Sequence, residues 1–152
     1  MGEIKRQDSW MFESADIAEI HTQIEQGQYS NKSLNEEYRV QRAEELGCDI
    51  VYPAPNELQI DIDTEHAFEI FQVMIIVVRH HFLVYGYQVT PSKSGLPKRH
   101  ITVTLVTPVT DIERVALQLA LGSDRIRETL SLARIKLGQE RPTCFFEKRP
   151  EA

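Results

Sequence analysis

The chain has 152 residues, 41% of them hydrophobic, which fits one domain with a core of ordinary size. A net charge of -6 argues against indiscriminate nucleic-acid binding, and two cysteines, Cys48 and Cys144, are too few for a disulfide scaffold, lack metal-ligand spacing and are expected as buried thiols. Residues 1–10 lack the basic-then-apolar order of a secretory leader, and the longest apolar run, 73–78, is far short of the roughly 20 residues of a membrane span, so a cytoplasmic protein without membrane contact is expected.

Two amphipathic helices are predicted first, over residues 14–28 on Ile17, Ile20 and Ile24, and over 33–46 on Leu34, Tyr38 and Leu46. Gly47 suits a C-cap, and the two prolines of 49–56 cannot propagate a helix, which marks a boundary. Residues 1–50 therefore read as a helical accessory segment of a single domain, 1–152, packed on a core at 56–149. Trp10, Met11 and Phe12 offer a surface for a protein partner or for packing on the body.

Leu58, Ile60 and Ile62 alternate with Gln59, Asp61 and Asp63, the pattern of a half-buried strand over 57–63. Thr64 can cap a helix to about Phe82 whose broad apolar face predicts that it is largely buried. A strand over 84–90, a Pro/Ser/Lys/Gly loop and a strand over 100–106 form a long-looped hairpin. Thr110 or Asp111 caps the next helix, Gly122 and Ser123 break and recap it, and Gly138 ends its continuation. Residues 143–148, with Phe145 and Phe146, supply a last strand. The order βαββαβ predicts an α+β fold with an antiparallel RRM-like or ferredoxin-like sheet, its first strand central between the third and fourth, both helices on one face and the other face open.

Alternation then assigns Asp61 and Asp63 to the open face, with His100 and Thr102 from the third strand and Phe145 and Glu147 from the fourth. Clustered carboxylates hold hard cations such as Mg²⁺ or Mn²⁺, although two aspartates on one strand also suit a solvated strand end. In the hairpin loop, Gly95 lets backbone amides approach an anion. Ser92 and Ser94 can donate hydrogen bonds, and Lys93, Lys98 and Arg99 bring charge, a set that suits a triphosphate; the plainer reading is a connecting loop. Arg125 and Arg127 in a helix first turn oppose the dipole, as if awaiting an anionic partner. From Lys98 onward basic residues outnumber acids, so a local basic surface remains open. His80 and His81 are adjacent on a helix, point about 100° apart and do not chelate one ion.

The strand Leu58-Gln59-Ile60-Asp61-Ile62-Asp63, the loop Ser92-Lys93-Ser94-Gly95 followed by His100-Ile101-Thr102-Val103, and the closing Phe145-Phe146-Glu147 resemble, in this order, the catalytic module of the archaeo-eukaryotic primase superfamily. That resemblance implies a nucleotidyltransferase of DNA-replication type. Asp61, Asp63 and His100 would be catalytic, Asp61, Asp63 and Glu147 would bind Mg²⁺ or Mn²⁺, and Ser92, Lys93, Ser94, Gly95, Lys98, Arg99 and His100 would contact nucleotide phosphates. The chain departs from the family in its third acid, a glutamate, in the inserted Leu96-Pro97-Lys98-Arg99 and in its small size. The competing reading is a non-catalytic RRM-like module binding DNA, RNA or protein, or a primase-like regulator without activity. An RRM platform needs exposed aromatics where this chain has Asp61, Asp63, His100 and Thr102.

Overall fold

The computed structural model describes residues 35–150 together with Ala18, His21 and Thr22. Those three residues are helical; the rest of the helix expected over 14–28, and Trp10, Met11 and Phe12, lie outside the described residues. The element order is α1 (Glu36–Glu45), β1 (Cys48–Val51), β2 (Glu57–Ile62), α2 (Glu65–His81), β3 (Val84–Pro91), β4 (Arg99–Leu105), α3 (Asp111–Ala120), α4 (Arg125–Lys136) and β5 (Phe145–Lys148). The fold is α+β with two small antiparallel sheets, one of β2, β4 and β3 in that order, the other of β1 and β5.

The core follows from the strand alternation. Leu58, Ile60 and Ile62 of β2 and Ile101, Val103 and Leu105 of β4 are buried, and the register pairs Leu58 with Val103 and Ile60 with Ile101. They pack against Phe71, Ile75 and Val78 of α2 and against Leu121. Each such side chain contributes about 1.5–3 kcal/mol. Thr64 starts α2 by accepting from the Ala67 amide at 3.0 Å, and Thr110 with Glu113 forms a capping box on α3. The expectation of a largely buried α2 is corrected: Val73, Ile76 and Val77 are exposed, because the helix covers a three-stranded sheet with only one of its faces.

Strand order corrects the ferredoxin-like expectation. β2 lies at a sheet edge, β4 takes the centre, and β5 pairs instead with β1, a four-residue strand not anticipated in the proline-containing segment. The physical reason lies along the outer edge of β2, where a further strand would bond. Arg114 Nε donates to the Glu57 carbonyl at 2.9 Å, and the Gln59 amide donates to Gln118 Oε1 at 2.8 Å. Arg127 donates to the Gln59 carbonyl at 2.6 Å. The Asp61 amide donates to Ser123 Oγ at 3.0 Å, and its carbonyl accepts from the Asp124 amide at 2.8 Å. Side chains of α3 and α4 and the turn between them therefore cap the edge in place of a strand.

This turn also corrects the expected cap of α4. Asp124, not Ser123, is the N-cap, accepting from the Ile126 and Arg127 amides, while Ser123 Oγ serves β2 and donates to Glu128 Oε1 at 2.9 Å. Gly122 allows the close approach: at φ +92°, a Cβ there would meet the Ala67 carbonyl oxygen at 2.8 Å. Gly122→Ala is expected to cost at least about 2 kcal/mol in urea unfolding, since neither the backbone conformation nor that oxygen can yield cheaply.

Candidate functional site

A cavity of about 400 Å³ opens on the β2–β4 face turned away from α2. β2 and β4 bring the first two groups together because Asp61 and His100 are cross-strand partners, with Asp61 Oδ1 3.7 Å from His100 Nε2. Asp63 follows β2, and Ser92, Lys93, Ser94 and Lys98 come from the β3–β4 loop; all line the same cavity. The loop is a tight unit: the Ser92 amide donates to the Lys98 carbonyl at 3.0 Å, and Gly95, at φ +78°, sends its amide to the Ser92 carbonyl at 2.8 Å. The expected open face is thus partly roofed. Phe145 lies flat on the His100 ring at 4.0 Å, and Gln59 is buried.

Three expected members are not among the lining residues. Glu147 is exposed on β5 opposite Asp49, carried off by the pairing of β5 with β1. Arg99 points to the α2 side of its strand, where it pairs with Glu65 at 3.1 Å and covers the Phe68 ring at 4.0 Å. Gly95 shapes the loop without lining the cavity. Arg127, expected to await an anionic partner, is already engaged by Gln59, Cys144 and Glu128, and Arg125 too has a contact within the chain. Of the two thiols, Cys48 is buried but Cys144 is only half-buried and lines the cavity.

Burial first and then the neighbouring Asp61 and Asp124 push the Asp63 carboxyl up to about 6. Burial also raises Asp61, against the attraction of Arg127. Burial, then the positive charges of Arg127 and Lys93, lowers His100 to about 4, so it is neutral at physiological pH. A His100→Phe variant keeps the ring stack and gives a pH test. Unfolded histidine takes a proton near 6.5 and the folded one only near 4, so wild type is expected to lose about 2–3 kcal/mol relative to the variant as pH falls between those values.

Hard carboxylate donors that are half-buried and mutually repelling fit a divalent cation. Among the described residues no group of three or more His, Cys, Asp or Glu is arranged to enclose one. Asp124 is near, but its carboxylate serves the α4 N-terminus. The donor set therefore suits an ion of Mg²⁺ type, which uses one or two carboxylates and completes its shell with water and substrate phosphates.

Three residues that shape the cavity were not anticipated from sequence, Arg39, Gln118 and Glu128, while Arg134 was expected only as part of a basic surface and Asp124 only as part of a helix break or a further phosphate site. A signal existed in Gln118, set at helical spacing between Val115 and Leu121, and in Glu128, Ser131 and Arg134, a buried polar stripe three residues apart. Comparisons of the chain with protein-family profiles, with curated proteins and with solved structures each return no significant match.

Proposed function

We propose that the cavity binds a nucleotide together with Mg²⁺ or Mn²⁺ and that the protein is nucleotidyltransferase-like, as its resemblance to the primase superfamily implies. One observation carries this reading: two half-buried carboxylates, Asp61 and Asp63, share a single cavity with a loop of hydroxyls and ammonium groups, Ser92, Lys93, Ser94 and Lys98. A triphosphate needs both, cationic and hydroxyl donors along its oxygens and a cation whose remaining ligands are carboxylates.

Asp61 and Asp63 would hold the cation, which supplies charge neutralisation at the phosphates when bound. His100, neutral and held by its stack on Phe145, offers one N–H donor to a phosphate oxygen without adding charge. Lys93, whose ammonium lies 5.4 Å over the Phe146 ring, and Lys98 supply the attraction. With Glu147 remote, the third ligand direction is left to the nucleotide itself, so cation and nucleotide are expected to bind cooperatively.

Calorimetry with Mn²⁺ and Mg²⁺, with and without a nucleoside triphosphate, tests this. Each ligand should tighten the other, and an undetectable interaction in every combination would overturn the reading. Single-stranded nucleic acid bound with no dependence on the cation would instead identify a binding module. Changing Lys93 and Lys98 together to alanine is expected to weaken triphosphate binding about tenfold at low salt and less at high salt, with stability nearly unchanged. Unaltered affinity at low ionic strength would leave the loop as a connection.

A further inference from the structure

We propose that Arg39 and Arg134 form a second anion site in the same cavity, built to take a phosphate group separate from any held by the Ser92–Lys98 loop. Arg39 projects from α1 and Arg134 from the last turn of α4, and both line the cavity. Arg39 is only 4% exposed. Its Nε has no hydrogen-bond partner, and its one described side-chain contact is a weak donation from a terminal nitrogen to Cys144 Sγ at 3.7 Å. Among the described residues it forms no ion pair. A buried guanidinium in that condition carries an uncompensated desolvation cost unless a ligand supplies the missing acceptor.

The neighbouring charge makes the cost larger. Arg134 donates to the Pro142 carbonyl at 3.0 Å, and burial, then the proximity of Arg39, lowers its pKa to about 10. Two guanidiniums lining one cavity match the several oxygens and double charge of a phosphate better than they match a carboxylate. Arg127 and Glu128 act on Arg134 as they do on Asp61. Neither Arg39 nor Arg134 is among the charges that shift Asp61, Asp63 or His100, whereas Lys98 and Arg127 act on the aspartates and Lys93 and Arg127 on His100. Among the described residues the acids lining the cavity are Asp61, Asp63 and Asp124, and none of them is among the charges that shift Arg134. The proposal extends the nucleotide reading of the cavity but does not depend on a cation at Asp61 and Asp63. A ligand with phosphates at both ends, such as a short nucleic-acid strand, would meet both sets.

Cys144 provides the readout, because Cys48, the only other cysteine, is buried. In the full chain, in EDTA and at matched ionic strength, inorganic phosphate is expected to slow alkylation of Cys144. A 5'-phosphorylated dinucleotide should do so at lower concentration than the same dinucleotide lacking that phosphate if the source is a terminal phosphate; inorganic phosphate alone protecting would assign free phosphate. Arg39→Gln should weaken protection about tenfold. Arg39→Lys, which keeps the charge and loses the fork, should fall between, and serves if the glutamine variant does not fold by circular dichroism. Asp61→Asn with Asp63→Asn should leave protection intact, so failure of the cation site and failure of this site are separable. Phosphate that leaves Cys144 alkylation unchanged, or that protects the folded Arg39 variants as well as wild type, overturns the proposal.

Discussion

Changing Asp61 and Asp63 together to asparagine is expected to raise the melting temperature in EDTA at pH 8 by about 2–6 °C and to abolish the further gain that Mn²⁺ with a nucleoside triphosphate gives wild type. The first effect is electrostatic. Folding partly buries both carboxyls close to one another, and Asp63 titrates at about 6 in the fold, well above the ordinary aspartate range. At pH 8 the folded protein therefore holds charge that the unfolded chain carries more cheaply, by about 1–2 kcal/mol once partial solvent screening is allowed for. Between pH 6 and 4 the folded state binds more protons than the unfolded one. Wild-type stability should thus rise relative to the variant as pH falls, until the two curves meet near pH 4. The second effect is linkage: a ligand bound only by the folded state raises its melting temperature, and without the carboxylates the cation has no anchor. Melts at pH 8 and pH 4, each in EDTA and with Mn²⁺ and triphosphate, check both. A strong loss of stability in EDTA, or an equal response of both proteins to Mn²⁺ with triphosphate, would show that the aspartates serve the scaffold.

Glu128→Ala is expected to be the most damaging single change away from the apolar core, costing about 3–5 kcal/mol. Glu128 is fully buried and accepts from Gln118 Nε2 at 2.9 Å, from Ser123 Oγ at 2.9 Å and from Arg127 at 2.5 Å. Burial raises its pKa while the charge of Arg127 and the three hydrogen bonds oppose the rise. Removing it strands three donors in the interior, and those same side chains hold the outer edge of β2 through Gln59 and Asp61. The damage should therefore reach Asp61 itself: the variant is expected to lose cooperative cation and nucleotide binding even at temperatures where it is folded. Urea unfolding with calorimetry on the folded fraction measures the two losses. A cost below about 1 kcal/mol would mean that the edge is held by packing and not by this network.

Alternation and caps carried most of the secondary structure. Leu58, Ile60 and Ile62 can face only the core, and this alone sends Asp61 to the side of His100 once β2 and β4 pair. Thr64, Thr110 and Gly138 mark their helix ends by local chemistry that needs no tertiary contact. The meeting of Asp61, Asp63, His100 and the Ser92 to Lys98 loop was legible for the same reason: residues on adjacent strands and their connecting loop have few places to go.

What only the tertiary structure decided is which partner satisfied the free edge of β2. Periodicity says that the edge has unpaired amides and carbonyls, but not whether another strand or side chains will meet them, since both satisfy the same hydrogen-bonding requirement. Here Arg114, Gln118, Ser123 and Arg127 meet them, β5 is left to pair with β1, and Glu147 departs from the acidic pair. The same long-range choice closes α1 and α4 over the cavity and buries Arg39 beside Arg134, two arginines 95 positions apart in the chain whose juxtaposition no local pattern encodes.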